Sequence, residues 1–249
     1  MYVVKKNKRV HRILLYLGLA FFLFWSLAPV YWVLVTSLTG GNEISAYPPT
    51  PVPHDFTLDN YRDVLFNSAF PFFVQNSVDI AACVTFISLF IAAPAAFAIA
   101  RLAFPGRRLV ARSIVITYLL PPTFLFIPLF VVLQALKLVD TRFGLVLAYL
   151  TFTVPFCTWM LIGYFRSIPM ELDEAARVDG ASRPRTLTSV VLPIAAPALS
   201  VMALFAFTHA WNEFLYSLVY VHSTSAKTFT SGLVGMMMGD TFIWGQLMA

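Results

Sequence analysis

The chain has 249 residues, of which 59% are hydrophobic, 16% aromatic and only 12% charged. An average soluble domain is about 45–50% apolar and about 25% charged, so this chain carries about half the usual share of charge. A soluble globular protein of this size cannot hide so many apolar side chains, and a disordered chain contains far fewer of them. Both classes are excluded, and an integral membrane protein remains.

Five apolar runs follow one another along the chain, and each exceeds the roughly 20 residues that a helix needs to cross a membrane. They are 13–38, 72–100, 109–136, 143–165 and 194–221. The first run is too long for the apolar part of a cleaved signal peptide, which has about 7–15 residues. The sequence therefore predicts an all-α integral membrane protein with five visible spans, the first of which is retained.

Loop charge sets the predicted orientation. Of the 17 Lys and Arg residues, five precede the first span, four lie in 101–112 and four lie in 166–185. Excess Lys and Arg stay on the cytoplasmic side of a membrane. The basic N-terminus (1–12) and these two loops are therefore predicted to be cytoplasmic. The same rule accounts for the net charge of +5, so no nucleic-acid partner is expected.

A short helix is predicted in the second cytoplasmic loop, at about 168–182. Ser167 is a candidate N-cap, Pro169 suits the first turn, and Gly180 suits the left-handed residue that ends a helix. Negative charge is favourable at the N-terminal end of a helix dipole. Three acidic residues stand there: Glu171, Asp173 and Glu174.

One face of this helix is small and apolar, because Leu172, Ala175 and Ala176 follow the i, i+3, i+4 spacing. A helix this short is not stable alone, so its apolar face must pack against something. Two alternatives stay open at this point, namely the ends of its own helix bundle and a partner protein. Arg177 is equally open, since it can pair with Glu174 or reach a partner.

Polar side chains inside the spans are candidates for a solute pathway, since such groups face the bundle interior or a water-filled cavity. In span five they follow the i, i+3, i+4, i+7 spacing of one helix face: His209, Asn212, Glu213 and Tyr216. Asn76 and Asp79, near the outer end of span two, are two further candidates for the pathway. The competing interpretation is hydrogen bonding that holds the helices together.

No catalytic residue and no metal site is predicted. The sequence lacks the His-Glu-x-x-His pair of zinc proteases, which leaves an intramembrane enzyme built on His209 and Glu213 unsupported. It also lacks the phosphate-binding loop Gly-x-x-x-x-Gly-Lys-Ser/Thr. ATP hydrolysis by that route is therefore excluded for this chain.

Three stretches and one pair of residues carry a family resemblance. The first comprises Glu174, Ala175, Ala176, Gly180, Leu192 and Pro193. It resembles the signature of bacterial ABC-importer permeases, with the spacing Glu-Ala-Ala, three residues, Gly, nine residues, Ile, one residue and Leu-Pro. Val190 stands at the Ile position. The other two, Arg-Leu-Ala-Phe-Pro-Gly at 101–106 and Trp-Asn-Glu-Phe-Leu at 211–215, resemble the second permease of maltose-type sugar importers, as does the Asn76-Ser77 pair.

The resemblance implies an ABC-importer permease bundle with one membrane domain over 13–249 in the bacterial inner membrane. Six membrane helices are typical of it, so a sixth helix is expected beyond Ala249 and the sequence is expected to be truncated there. By this resemblance, the helix at 168–182 is expected to be a coupling helix that contacts an ATPase. The residues expected to serve this coupling are Leu172, Glu174, Ala175, Ala176, Arg177 and Gly180.

The resemblance also implies partners. These are a homologous second permease, two ATPase subunits that hold ATP and Mg²⁺, and an extracytoplasmic solute-binding protein, with membrane lipid around the spans. No cofactor is expected in this chain, and the expected solute is a di- or oligosaccharide.

Two alternatives remain at the level of the sequence. An ABC permease for another small solute, such as glycerol phosphate, a polyamine or an amino acid, would differ mainly in the motifs around spans two and five. An ion-coupled secondary transporter would need no ATPase and would leave the helix at 168–182 without a purpose. Such transporters often contain repeated halves, and none is found here.

Overall fold

A computed structural model describes residues 8–44, 47–237 and 244–249. Regular secondary structure in these ranges is helical except for one isolated bridge between Thr39 and Phe56. The helices are α1 (Lys8–Ser37), α2 (Gly41–Ile44), α3 (Asp59–Phe66), α4 (Phe70–Arg101), α5 (Arg107–Leu119), α6 (Pro122–Ala135), α7 (Arg142–Ser167), α8 (Glu171–Val178), α9 (Arg183–Thr186), α10 (Leu192–Ile194), α11 (Ala196–Asn212), α12 (Leu215–Tyr220), α13 (Phe229–Met237) and α14 (Trp244–Met248). A π-helical turn, Leu187–Val191, joins α9 to α10.

Three of the five predicted spans are single helices. α1, α4 and α7 are long and apolar enough to cross a membrane, and they correspond to the runs 13–38, 72–100 and 143–165. Two bent pairs of helices bring the count of possible spans to five in the described part of the chain. The prediction of an all-α membrane protein is confirmed, and each of the remaining two runs forms a bent pair of helices.

The third predicted span is broken near its middle. α5 and α6 are bent by 97° relative to each other, and the break falls at Leu120 and Pro121. Proline lacks a backbone N–H and forces the residue before it into an extended conformation, which Leu120 adopts with ψ 125°. Pro121 and Pro122 therefore end one helix and start the next.

The fifth predicted span is shorter than the run 194–221. The segment Arg183–Ile194 is bent by 82° from α11, so the apolar helix begins at Ala196. It ends at Asn212, because Glu213 is extended (φ −67°, ψ 127°) and a new helix, α12, follows. The prediction that one helix continues through Glu213 is therefore wrong.

The chain forms two compact units: Met1–Pro71 with Leu233–Ala249, and Phe72–Gly232. The prediction of one membrane domain over 13–249 stays a prediction.

In the first unit, α3 is attached to the C-terminal end of α1. The Asn60 amide donates hydrogen bonds of 3.0 Å to the carbonyl oxygens of Ser37 and Thr39. α14 packs on both helices, and Gln246 donates to a carboxylate oxygen of Asp63 at 3.2 Å. Polar side chains thus fix the short helices to the membrane helix.

The loop after α2 is organised by Glu43. Its carboxylate accepts the backbone N–H groups of Asp55 (2.9 Å) and His54 (3.1 Å) and the hydroxyl of Thr50 (2.8 Å). These bonds favour the ionised carboxylate, and they lower the pKa of Glu43 to about 2, with the N–H of Asp55 contributing most.

In the second unit, α4, α7 and α11 share one apolar core, and partly buried side chains of α5 pack against it. α4 contributes three buried alanines to this core: Ala92, Ala96 and Ala100. One polar contact crosses this packing, between the Ser88 and Thr153 hydroxyls at 2.7 Å.

A second core cluster lies around Tyr149, Tyr216 and Tyr220, all nearly fully buried. α12 is held there by two tyrosine hydroxyls that donate to carbonyl oxygens of α6. Tyr216 donates to Pro122 at 2.6 Å, and Tyr220 donates to Phe126. The broken third and fifth spans are therefore joined to each other at their breaks.

Candidate functional site

α8 occupies the predicted inner-loop helix, but its start differs from the prediction. It begins at Glu171, and the Ser167 hydroxyl donates to the carbonyl oxygen of Tyr164 at 2.7 Å instead of capping α8. Ser167 lies too far back because α7 continues through it. The three predicted acidic residues lie in the first turn of α8.

Gly180 ends α8 in the left-handed conformation that its position predicts, with φ +79°. The N–H of Ala181 bonds to the carbonyl oxygen of Ala176 at 2.9 Å, and the N–H of Gly180 bonds to that of Arg177 at 3.0 Å. This pair of bonds is the Schellman motif. A Cβ built on Gly180 meets no atom within 4 Å, so the turn faces open space.

The predicted apolar face of α8 is divided between two surroundings. Ala176 and Asp173 are buried against the chain's own helices, whereas Leu172 and Ala175 are exposed. Val178 is 88% exposed and continues the exposed apolar strip one turn further. One side of α8 therefore packs on the bundle, and contact of its exposed side with a partner protein stays a prediction.

A buried arginine at the end of α4 holds α8 in place. The Arg101 side chain is 2% exposed, and its guanidinium donates to the carbonyl oxygen of Ile168 (2.7 Å) and to the Met170 sulfur (2.6 Å). Its Nε lies 3.7 Å from a carboxylate oxygen of Asp173, which is 8% exposed. Sequence reasoning missed this anchor, because Arg101 and Asp173 lie 72 positions apart and meet only in the folded chain.

Two of the exposed charged residues of α8 make no ion pair with each other. Arg177 and Glu174 are exposed, and the ion pairs found in the described ranges do not include them. Arg177 instead lines a small cavity with Arg101 and Arg183.

An open cavity of about 530 Å³ lies where α6, α7, α11 and α12 meet. All four polar candidates of span five line it: His209, Asn212, Glu213 and Tyr216. Aromatic rings complete the wall, since His209 lies 4.7 Å from Phe152 and 5.6 Å from Phe205, centroid to centroid. Phe205 lies four residues before His209 on the same face, a signal that could have been read from the sequence.

The break after Asn212 shapes this cavity. The Glu213 carboxylate accepts the backbone N–H groups of Tyr216 (3.0 Å) and Ser217 (3.3 Å), so it caps the N-terminus of α12. The Asn212 amide donates to the Thr208 carbonyl at 2.8 Å. The four side chains gather around a helix break and not along one continuous helix, as the spacing had suggested.

Asn76 and Asp79 do not line this cavity. Asn76 is 2% exposed, and its amide donates to the carbonyl oxygens of Ser225 (3.0 Å) and Lys227 (2.8 Å). Asp79 is half-exposed and lies 3.6 Å from a guanidinium nitrogen of Arg142. The structure therefore places these two residues around the loop after α12, away from the four candidates of span five.

Asp140 holds the same loop from the other side. Its carboxylate accepts the backbone N–H groups of Ser223 and His222, each at 2.8 Å. The N–H of Ser223 is the larger cause that keeps the pKa of Asp140 below its ordinary value. Nothing in the local sequence distinguished this aspartate from an ordinary loop residue.

We expect Asn76→Ala to lower the stability of the assembled protein by about 1–3 kcal/mol, because two carbonyl groups lose their donor. Thermal unfolding of the purified complex measures this loss. Gln75→Ala is the control, because it removes only an exposed hydrogen bond to Asp79 (2.8 Å), and it should change the midpoint much less. An unaltered midpoint in Asn76→Ala, together with an altered solute preference, would assign Asn76 to the pathway instead.

In the second unit, straight and bent membrane helices enclose a polar and aromatic cavity, as a transport permease requires. Residues 88–245 match the family described as "Binding-protein-dependent transport system inner membrane component". The chain belongs to this family. It is a multi-pass permease of the inner membrane and a non-catalytic component of its transporter, as the resemblance implied.

Relatives support this over nearly the whole chain. The inner membrane ABC transporter permease protein YcjP of Escherichia coli is 34% identical over 98% of this chain and 88% of its own. The trehalose/maltose transport system permease protein MalG of Thermococcus litoralis is 36% identical over the same shares. The trehalose transport system permease protein SugB of Mycobacterium tuberculosis is 35% identical over 82% of this chain and 74% of its own.

The fold also matches a solved structure. A bacterial ABC transporter involved in the import of the acidic polysaccharide alginate superposes with a TM-score of 0.82, covering 96% of this chain and 84% of that one. At 24% identity this likeness establishes the fold.

Proposed function

We propose that this permease imports a di- or oligosaccharide, driven by ATP hydrolysis in separate ATPase subunits. The observation that carries the proposal is the cavity, in which aromatic rings stand beside amide, hydroxyl and carboxylate groups. A sugar presents hydroxyl groups along its edge and C–H groups on its faces, so it needs both kinds of contact. The cavity volume lies within the range of small-molecule sites.

The relatives support the class of solute. Two of them carry trehalose or maltose in their names, and a further one, from Streptomyces coelicolor, is a diacetylchitobiose uptake permease, 32% identical over 90% of this chain. All three name disaccharides. In the proposal, a second permease completes the pathway and an extracytoplasmic binding protein delivers the sugar.

α8 is proposed as the element that couples ATP hydrolysis to transport. Its exposed side chains Leu172, Ala175 and Val178 would seat in a groove of an ATPase subunit, while Glu174 and Arg177 border that contact. Ala176 and Gly180 would serve differently, the first through close packing on the bundle and the second through the turn. Because α8 is anchored to α4, a movement of the ATPase would be transmitted as a rigid-body movement of the bundle.

Uptake by the reconstituted full transporter tests the class of solute. Proteoliposomes with ATP should accumulate labelled trehalose or maltose, and they should not accumulate glycerol 3-phosphate, spermidine or an amino acid. Accumulation of one of those three without any saccharide would contradict the proposal. Uptake that survives ATP depletion and collapses with an ion gradient would contradict ATP coupling.

In the same assay we expect Asn212→Ala to lower kcat/KM for the sugar about threefold to tenfold, since a hydrogen-bonding group of the cavity is lost. Ser200→Ala is the matched control, because Ser200 is an exposed residue of the same helix whose hydroxyl bonds to the carbonyl of Ala196, outside the cavity. Equal kcat/KM in both variants would remove Asn212 from the pathway.

A further inference from the structure

A cluster of four arginines lies where α5 begins and α7 ends, on the predicted cytoplasmic side. The four line one cavity of about 410 Å³: Arg107, Arg108, Arg112 and Arg166. Arg107 donates to the carbonyl oxygen of Ala100 at 3.0 Å. Within the described residues, none of the four takes part in an ion pair. This concentrated positive charge is therefore not neutralised by a carboxylate of the described chain.

An apolar groove of about 420 Å³ continues from this cluster between α5 and α7. Arg112 and Arg166 belong to both cavities, and the groove is otherwise lined mainly by apolar side chains, among them Ile116 and Trp159. A ligand that fills both would combine an anionic group with a hydrocarbon chain.

Gly163 leaves room in the groove. It lies inside α7, where glycine is less favourable than alanine. A Cβ built on it meets no atom within 4 Å, so no packing inside this chain requires its absence. A larger side chain at this position would occupy the groove itself.

We propose that an anionic phospholipid of the inner leaflet binds here. Its phosphate lies among the four arginines and one acyl chain lies in the groove between α5 and α7. Basic pockets between membrane helices on the cytoplasmic side attract anionic head groups. Free phosphate shares the head-group chemistry, but it would leave the apolar groove unused.

Native mass spectrometry of the full transporter tests the head-group contact. The complex is reconstituted with phosphatidylglycerol and phosphatidylcholine in equal amounts, and the retained lipids are counted. Wild type should retain phosphatidylglycerol in preference, and Arg112→Gln with Arg166→Gln should weaken that retention about 25-fold, at about fivefold per arginine. Arg9→Gln with Arg12→Gln removes the same charge from α1, on the same predicted side, and should leave the retention unchanged.

A second, uncharged variant tests the acyl-chain contact. Gly163→Leu should displace the retained phosphatidylglycerol without altering charge, whereas Gly18→Leu, at another open glycine in α1, should not.

Four results would overturn the proposal: equal retention of both lipids, equal losses in both arginine pairs, unchanged retention in Gly163→Leu, or displacement by excess inorganic phosphate. Loss of a protein subunit from the arginine variant, with its lipid retained, would likewise overturn it in favour of an acidic protein surface. Lipid retention is read without transport, so it is independent of the proposed solute.

Discussion

Replacing Arg101 by leucine should abolish ATP-driven uptake while the complex still assembles in the membrane. The side chain is buried, and it makes contacts to Ile168, Met170 and Asp173, which together fix the start of α8. Removing it leaves the Asp173 carboxylate buried without a counter-ion, which costs about 3–5 kcal/mol. We expect that cost to be relieved by displacement of α8, which would then no longer transmit movement to α4.

Two further variants separate this positioning role from a loss of charge. Arg101→Lys keeps the charge but not the planar fork of donors, so it should restore uptake only in part. Arg101→Leu combined with Asp173→Leu replaces the pair by apolar groups, a change that is often neutral for stability, and should recover the thermal midpoint. Labelled-sugar uptake and thermal unfolding measure both effects. Wild-type uptake by Arg101→Leu would refute the anchor.

Gly180→Asp should uncouple ATP hydrolysis from uptake and leave membrane insertion intact. A side chain in the left-handed conformation costs roughly 1–2 kcal/mol, so the turn that ends α8 is strained. Because no atom lies within 4 Å of the added Cβ, the side chain projects into open space, on the helix end that we propose contacts an ATPase. We expect hydrolysis by the purified complex to continue while sugar accumulation falls to background.

Gly106 provides the matched control. It has φ +80°, and a Cβ built on it also meets no atom within 4 Å, but it lies before α5 and not at α8. Gly106→Asp therefore imposes a similar backbone strain elsewhere and should keep hydrolysis and uptake coupled. If both variants uncouple, strain anywhere in the chain is sufficient and Gly180 has no specific role.

Features set by neighbouring residues were predictable from the sequence. The runs that became α1, α4 and α7 were found because hydropathy over about 20 residues is a property of the segment itself. The left-handed turn at Gly180 was found for the same reason, since glycine there is required by local backbone geometry. Family membership followed from the spacing of the Glu-Ala-Ala signature.

Features that depend on distant partners were not predictable. Hydropathy does not register backbone breaks, so the helix end at Asn212 was hidden inside an apolar run. Arg101 and Asp173 meet only because α4 and α8 pack together. Asn76 was assigned to the solute pathway, yet its amide donates to the loop after α12, because the partner of a buried amide is chosen by tertiary structure.

The ratio of ATP hydrolysed to sugar imported, measured in proteoliposomes of the full transporter, tests the role of α8 most directly. We predict that the ratio rises sharply in Gly180→Asp and stays at the wild-type value in Gly106→Asp. A wild-type ratio in Gly180→Asp, with uptake undiminished, would contradict the assignment of α8 as the element that couples the two processes.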